Sequence, residues 1–359
     1  MNALTRAMHL RECGFGRAMD VIVLAGGFGT RLLPWTANTP KPLIPILDRT
    51  MIEHVVSILP GEMVDKLLIA AGFGIEQMRD HFAGLDLPYE VVIVEETEPL
   101  GTGGAIANCR EHLGEGTCCV INGDLLTSLR VDEMMTAHVE NGCMASIALW
   151  EVEDPSRFGV ADFDESNSRI KRFQEKPPRE EAYSNLINAG TYLLEPEVFD
   201  RMPEGAFSME RVVFPVLAEE GELSGFPYTG HFVDAGTPGS YIEAMKTLIA
   251  NRDWHRGHRA NAENIAASWF GGAAKVAPNA LITESAVEAG CEIGSLSTVA
   301  SSALLTGVVL ETGSEVTGCL VGKGARIGSD AHLQDVVVDH GAVVPAGHIQ
   351  NDGTWPTAD

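Results

Sequence analysis

The sequence predicts two successive architectures, a doubly wound α/β domain and then a parallel β-helix. Three observations predict them. From Asp20 to about Leu125, short β-branched runs alternate with stretches of helical character. The first of these runs breaks directly into a glycine-rich turn, "LAGGFGTR". Beyond about residue 253, aliphatic residues recur every five or six positions, a period of neither a helix nor a simple strand.

In chain order, residues 1–19 ("MNALTRAMHLRECGFGRAM") mix charges with apolar side chains and lack the apolar core of a signal peptide. They are expected to be an N-terminal extension, with Met19 an alternative start. Residues 20–252 form the α/β domain. Its runs "DVIVLA", "KLLIAA", "EVVIVEE" and "TCCVIN" show no alternation, as parallel strands covered on both faces require. Between them, "MIEHVVSIL", "GIEQMRDHF" and "GTGGAIANCREHL" read as helices, and ligands are expected beyond the C-terminal strand ends. From Cys143 to Asp234 the pattern is mixed, with strands "CMASIALWEV", "GVADFD", "RIKRF" and "AGTYLL" and a helix near "SMERVVFPVLAEE". A helix "PGSYIEAMKTLIANR", with Pro238 at its start, closes the domain. Residues 253–275 are expected to be a linker, 276–349 the β-helix and 350–359 a tail. Val276, Ile282, Val287, Ile293, Val299, Leu305, Leu310, Val316, Val321, Ile327, Leu333, Val338 and Val344 mark the coil corners of a hexapeptide-repeat solenoid.

Composition narrows the function. An apolar content of 45% with 21% charged residues is that of a globular protein, and nowhere do 18 apolar residues run together, so no membrane partner is expected. Fifty acidic against 25 basic residues, a formal charge of −25, disfavour nucleic acid. The seven cysteines form no CxxC pair, and several lie in apolar runs such as "TCCVIN", as buried thiols do; a cytoplasmic location is expected.

The glycine turn is neither a GxxxxGK[ST] loop nor GxGxxG. Gly26, Gly27 and Gly29 nevertheless permit positive φ and close approach, so successive backbone N–H groups can face a phosphate chain. Arg31 adds a forked cation, and "NTPKPLIPI" presents Lys41 on a prolyl-stiffened segment. Two cations on separate arms can grip a polyphosphate from two sides.

"LAGGFGTRLLPWTANTPKPLIPI" closely resembles the signature of the sugar-phosphate nucleotidyltransferases, with Trp35 where leucine is commoner. The resemblance continues in family order through "EETEPLGTGGA", "INGDLL", "FGV", "EKP", "NAGTYLL", "SMERVVFP" and "VDAGTP", covering about residues 20–250. It implies a Rossmann-like domain with, as in several members, an appended left-handed β-helix. The implied substrates are a nucleoside triphosphate and a sugar 1-phosphate, with pyrophosphate released. It also implies that Leu24, Ala25, Gly26, Gly27, Gly29, Thr30, Gly101 and Thr102 bind the nucleotide. Arg31 and Lys41 would neutralise charge on the departing pyrophosphate.

Asp124 follows the strand in "INGD", and Asp234 ends the run in "FVDAGTP". Alone, either reads as a turn former or helix cap; the resemblance makes them ligands of Mg²⁺, completed by phosphate oxygens and water. "QEKPP" sets an acceptor and a cation before two prolines, and the resemblance assigns Lys176 to the sugar phosphate and Glu175 to sugar hydroxyls, with Asn188 and Gly159 as further sugar contacts. For the base, thymidylyl- and uridylyl-transferring relatives usually carry glutamine where this chain has Glu96. A carboxylate accepts from both adjacent donors of guanine, so Glu96 favours GTP, although the neighbouring Glu95 is an alternative bearer of that role. "EPLGTGGA" resembles the guanylyltransferases acting on mannose 1-phosphate, and more distantly those acting on heptose phosphates. The expected product is GDP-mannose, with glucose-1-phosphate uridylyl or thymidylyl transfer as the alternative. Two other classes are a non-catalytic nucleotide-sugar-binding subunit, opposed by the intact set of charged residues, and an acyltransferase using His332, His340 or His348. The solenoid's open ends are expected to support a homo-oligomer.

Overall fold

The eight strand runs of the sequence and a ninth that its pattern did not mark, Leu223–Pro227, join one sheet, in which the strand before the glycine turn is third from one edge. The structure is a computed structural model describing residues 19–251, 258–262 and 265–357. The expected extension before Met19 lies outside those residues. The strands are β1 (Met19–Leu24), β2 (Val64–Ala71), β3 (Glu90–Glu95), β4 (Cys118–Asn122), β5 (Ala145–Glu151), β6 (Gly159–Asp164), β7 (Arg169–Glu175), β8 (Leu186–Leu194) and β9 (Leu223–Pro227). Their spatial order is β3-β2-β1-β4-β8-β5-β9-β7-β6. β3, β2, β1 and β4 run parallel, while β8 enters antiparallel to both β4 and β5. The parallel part is the doubly wound half; the remainder follows the mixed pattern seen after Cys143.

Val21, Ile22, Val23, Leu67, Leu68, Ile69 and Val120 are fully buried, which accounts for the missing alternation. Cys109, Cys118, Cys119 and Cys143 are free and buried here too. Burial pushes the Cys119 thiol up to about 12, so it stays protonated at neutral pH.

Beneath β5, a buried polar network needs full satisfaction. His138, from the helix Val131–Asn141, bonds Ser146 through Nδ1 at 2.6 Å and Glu195 through Nε2 at 2.9 Å. Thr117 Oγ1 also donates to Glu195, at 2.6 Å. The His138 hydrogen bond, chief among these contacts, holds the Glu195 carboxyl below its ordinary value near 4.5. A depressed acid stabilises the fold above its unfolded pKa, and that contribution is lost as pH falls through the folded one. Glu195→Ala is expected to cost about 2 kcal/mol at pH 7. The deficit against wild type should shrink below about pH 4; urea midpoints at a series of pH values measure it.

The described residues group into two compact units. One runs to Gly27 and resumes over His54–Phe232; the other comprises Phe28–Glu53 and Val233–Asp359. The second unit therefore contains the "TRLLPWTANTPKPLIPI" segment as well as the solenoid. Trp35 shows why. It is 1% exposed, its Nε1–H donates to the Val338 carbonyl at 2.9 Å, and its ring stacks on His340 and meets Tyr241 edge-on.

Parallel pairing repeats every 17 residues through the solenoid, Leu281–Thr283 on Thr298–Ala300, then on Glu315–Thr317, then on the first residues of His332–Val338. Three aliphatic ladders result. Ile282, Val299, Val316 and Leu333 form one, Val287, Leu304, Val321 and Val338 the second, and Ile293, Leu310, Ile327 and Val344 the third. The expected corner at Leu305 belongs instead to Leu304; both are buried, and the ladder selects the residue in register. With that change the steps resolve into sides of six, six and five residues. The stack is also longer than expected at both ends. Ile265–Phe270, within the stretch expected as linker, pairs with Leu281–Thr283, and Ile349–Trp355 pairs with His332–Val338.

Candidate active site

β1 delivers the chain to the glycine turn, and Ala25 N–H still bonds the Ala70 carbonyl at 2.8 Å. A Cβ on Gly26 would lie 2.3 Å from Glu96 Oε1, so only glycine admits that carboxylate against the turn. Glu96 is 8% exposed, and burial raises its pKa, partly opposed by a hydrogen bond from the Leu100 backbone. Glu95, one residue earlier, is solvent-exposed at the end of β3. Of the two acids, Glu96 is therefore the one that faces the glycine turn. Gly101, with φ +70°, opens the helix Gly101–Asn108, and Thr102 is in its first turn.

In the other unit the two cations, ten residues apart in sequence, come together. Gly29 has φ +62°, and a Cβ there would lie 2.9 Å from Lys41 Cβ and 3.0 Å from Thr36 Cγ2. The Thr36 hydroxyl donates to the Gly29 carbonyl at 2.8 Å, folding the segment back on itself. Thr30 and Arg31 form a 3-10 turn over Thr30–Leu32, and Lys41 opens another over Lys41–Leu43. A Cβ on Gly236 would stand 2.8 Å from Arg31 Nη2, 2.8 Å from Asp234 Oδ1 and 3.2 Å from Lys41 Nζ. Arg31, Lys41 and Asp234 thus converge on one glycine. Thr237 and Ser240 close a capping box immediately after it, which fixes how the helix Pro238–Ala250 begins.

Asp124 follows Gly123, whose N–H bonds the Leu24 carbonyl at 2.9 Å. A Cβ on Gly123 would lie 2.7 Å from that same oxygen, so Asp124 leaves the sheet directly beside the end of β1. Asp124 and Asp234 carry hard oxygen donors suited to Mg²⁺. Among the described residues no group of three or more His, Cys, Asp or Glu side chains is gathered to hold a metal.

At the end of β7, Lys176 Nζ lies 3.0 Å from Glu175 Oε1, and a Cβ on Gly159 would lie 3.1 Å from Glu175 Oε2. Lys176 has φ +49°, a left-handed conformation unusual outside glycine, while its N–H bonds the Phe158 carbonyl. Asn188, on β8, donates through Nδ2 to Tyr192 Oη at 2.9 Å and accepts from Gly190 N–H at 2.8 Å. Glu210 went unassigned in the sequence, although its motif "SMERVVFP" stood out; only the fold shows its carboxylate bonded to both Thr102 and Tyr192. The three solenoid histidines have local structural partners: Glu315 for His332, Trp35 and the Lys323 N–H for His340, and Trp355 for His348.

A glycine turn after the first strand of a doubly wound sheet is the place where such folds take phosphate-bearing ligands. Residues 20–251 match the nucleotidyl transferase family model, and residues 273–351 match a GlmU-like C-terminal hexapeptide model. The chain belongs to the nucleotidyl transferase family and is a sugar-1-phosphate nucleotidyltransferase with a hexapeptide-repeat C-terminus. It is 31% identical over 340 residues to mannose-1-phosphate guanylyltransferase 1 of Arabidopsis thaliana, spanning 93% of this chain and 90% of that protein. It is 33% identical over 231 residues to mannose-1-phosphate guanyltransferase beta-B of Xenopus laevis, covering 63% of this chain and 64% of the relative. The crystal structure of HddC from Yersinia pseudotuberculosis complexed with GMP-PN matches with a TM-score of 0.55 at 28% identity, over 64% of this chain and 99% of that one. No helix among the described residues is long and apolar enough to cross a membrane.

Proposed function

We propose that the chain transfers a guanylyl group from GTP to mannose 1-phosphate, giving GDP-mannose and pyrophosphate. The observation that carries this reading is the buried Glu96 carboxylate against Gly26, with guanylyltransferases among the relatives in support. Guanine offers N1–H and its 2-amino group side by side, and one carboxylate accepts from both. A uracil or thymine would set a carbonyl oxygen against that acid.

In this reading the backbone of Gly26, Gly27 and Gly29 lines the triphosphate. A phosphate oxygen of the sugar 1-phosphate attacks the α-phosphorus; the bond to the bridging oxygen breaks, and the electron pair leaves with pyrophosphate. Arg31 and Lys41 balance the charge that collects on the leaving group. Lys176 orients the attacking phosphate, while Glu175, Asn188 and the Gly159 backbone hold the sugar. Asp124 and Asp234 would hold Mg²⁺, which would supply charge neutralisation between the two reacting phosphates.

The test measures pyrophosphate release with GTP, UTP, dTTP and ATP against mannose, glucose and heptose 1-phosphates. The pair GTP and mannose 1-phosphate is expected to give the highest kcat/KM. A higher value for UTP or dTTP with glucose 1-phosphate would overturn the assignment. Glu96→Gln is expected to lower kcat/KM for GTP about tenfold and to narrow its margin over UTP, since one hydrogen-bond pairing is worth about that much.

A further inference from the structure

We propose that Glu210 is a positioning residue, fixing the amide of Asn188 in one orientation and tying it to Thr102 at the start of the helix Gly101–Asn108. The inference rests on the roles proposed above for Asn188 and Thr102. Glu210 sits in the five-residue π-helical segment Met209–Val213, a geometry that recurs at functional sites. One carboxylate oxygen accepts from Thr102 Oγ1 at 2.6 Å and from Ser208 Oγ at 2.5 Å; the other accepts from Tyr192 Oη–H at 3.2 Å.

The chain of donors has only one direction. A carboxylate can only accept, so the Tyr192 hydroxyl must be the donor in its hydrogen bond to Glu210. Its oxygen is then an acceptor, and it takes Asn188 Nδ2–H at 2.9 Å. Asn188 Oδ1 meanwhile accepts from Gly190 N–H at 2.8 Å. Flipping the Asn188 amide would oppose donor to donor at Gly190 and acceptor to acceptor at Tyr192. Glu210 thus enforces at Tyr192 the same amide orientation that the Gly190 N–H favours at the other end. Tyr192 is fully buried, with its ring edge-on to Phe214, so it transmits this without freedom to swing. At the other end, Thr102 Oγ1 also accepts from Met209 N–H at 3.1 Å, which fastens the helix start to the same segment.

The test exploits the asymmetry of an amide. In Glu210→Gln one oxygen still accepts from Thr102 and Ser208, but Nε2 faces a tyrosine oxygen that already receives Asn188. At most that amide donates to the phenol's second lone pair, so the donation from Tyr192 that set the direction of this arm is lost while the Thr102 arm persists. Glu210→Gln and Tyr192→Phe are each expected to raise KM for the sugar phosphate about tenfold, with KM for the triphosphate changed less than about twofold. The double variant should be no worse than either alone, because both remove the same link. Equal losses for both substrates, or a double variant whose defect multiplies, would overturn the proposal. The ¹⁵N-labelled protein without substrate supplies a readout independent of turnover. The Asn188 side-chain amide resonances should shift in both single variants and not in the control Lys176→Ala. Unmoved resonances overturn the proposal even if wild type is active. A wild type that turns over no sugar phosphate, while the two variants still show the shifts, sinks the functional reading and leaves the positioning role standing.

Discussion

Asp124→Asn is expected to lower kcat about a thousandfold, the scale of losing a group that stabilises developing charge in a shielded site. Asparagine has the same shape and keeps one oxygen, so the peptide leaving the end of β4 through Gly123 should be undisturbed. The unfolding free energy from urea titration is therefore expected to stay within about 0.5 kcal/mol of wild type. The charge is what disappears. The residual activity should need more Mg²⁺, because a neutral amide is a poor ligand for a hard cation. Turnover measured across a Mg²⁺ titration decides the matter, and near-normal kcat at low Mg²⁺ would remove Asp124 from the metal site.

The second large effect is expected at Lys41. Its ammonium shares the space above Gly236 with Arg31 and Asp234. Lys41→Ala should reduce kcat about a hundredfold by withdrawing one of two cations from the leaving group. Arg31→Lys keeps the charge but loses the planar fork, and about a tenfold loss is expected. Pyrophosphate release at saturating sugar phosphate gives both numbers. A Lys41→Ala enzyme impaired only in its KM for the sugar phosphate would move that lysine to the other substrate.

The parallel strands of the sheet were legible because burial leaves a mark, the unbroken aliphatic run, that needs no knowledge of partners, whereas the short Leu223–Pro227, with its glycine and proline, carried no such mark. Their order was not. β8 slots between β4 and β5 although two strands intervene in the chain, and no local pattern records a long-range pairing. The solenoid period could be read but its register slipped at Leu305, since Leu304 and Leu305 are equally apolar and only the ladder with Val287 and Val321 separates them.

Site residues divided along similar lines. Gly26, Gly29, Arg31 and Lys41 stood out because their chemistry is concentrated in one short stretch. Glu95 and Glu96 are indistinguishable until the end of β3 turns one out to solvent and the other toward Gly26. Glu210 is one of many glutamates in sequence; its meaning arises from partners near 100 and 190, which only the fold brings within reach. Trp35 looked like a mere variant of a commoner leucine. Its indole N–H has a use that leucine lacks.

That hydrogen bond also orders events in time. The Val338 carbonyl that receives Trp35 lies 303 residues downstream of it. The segment that carries Arg31 and Lys41 is therefore made long before the carbonyl that seats its tryptophan leaves the ribosome, and until then the indole N–H lacks the partner it has in the finished fold.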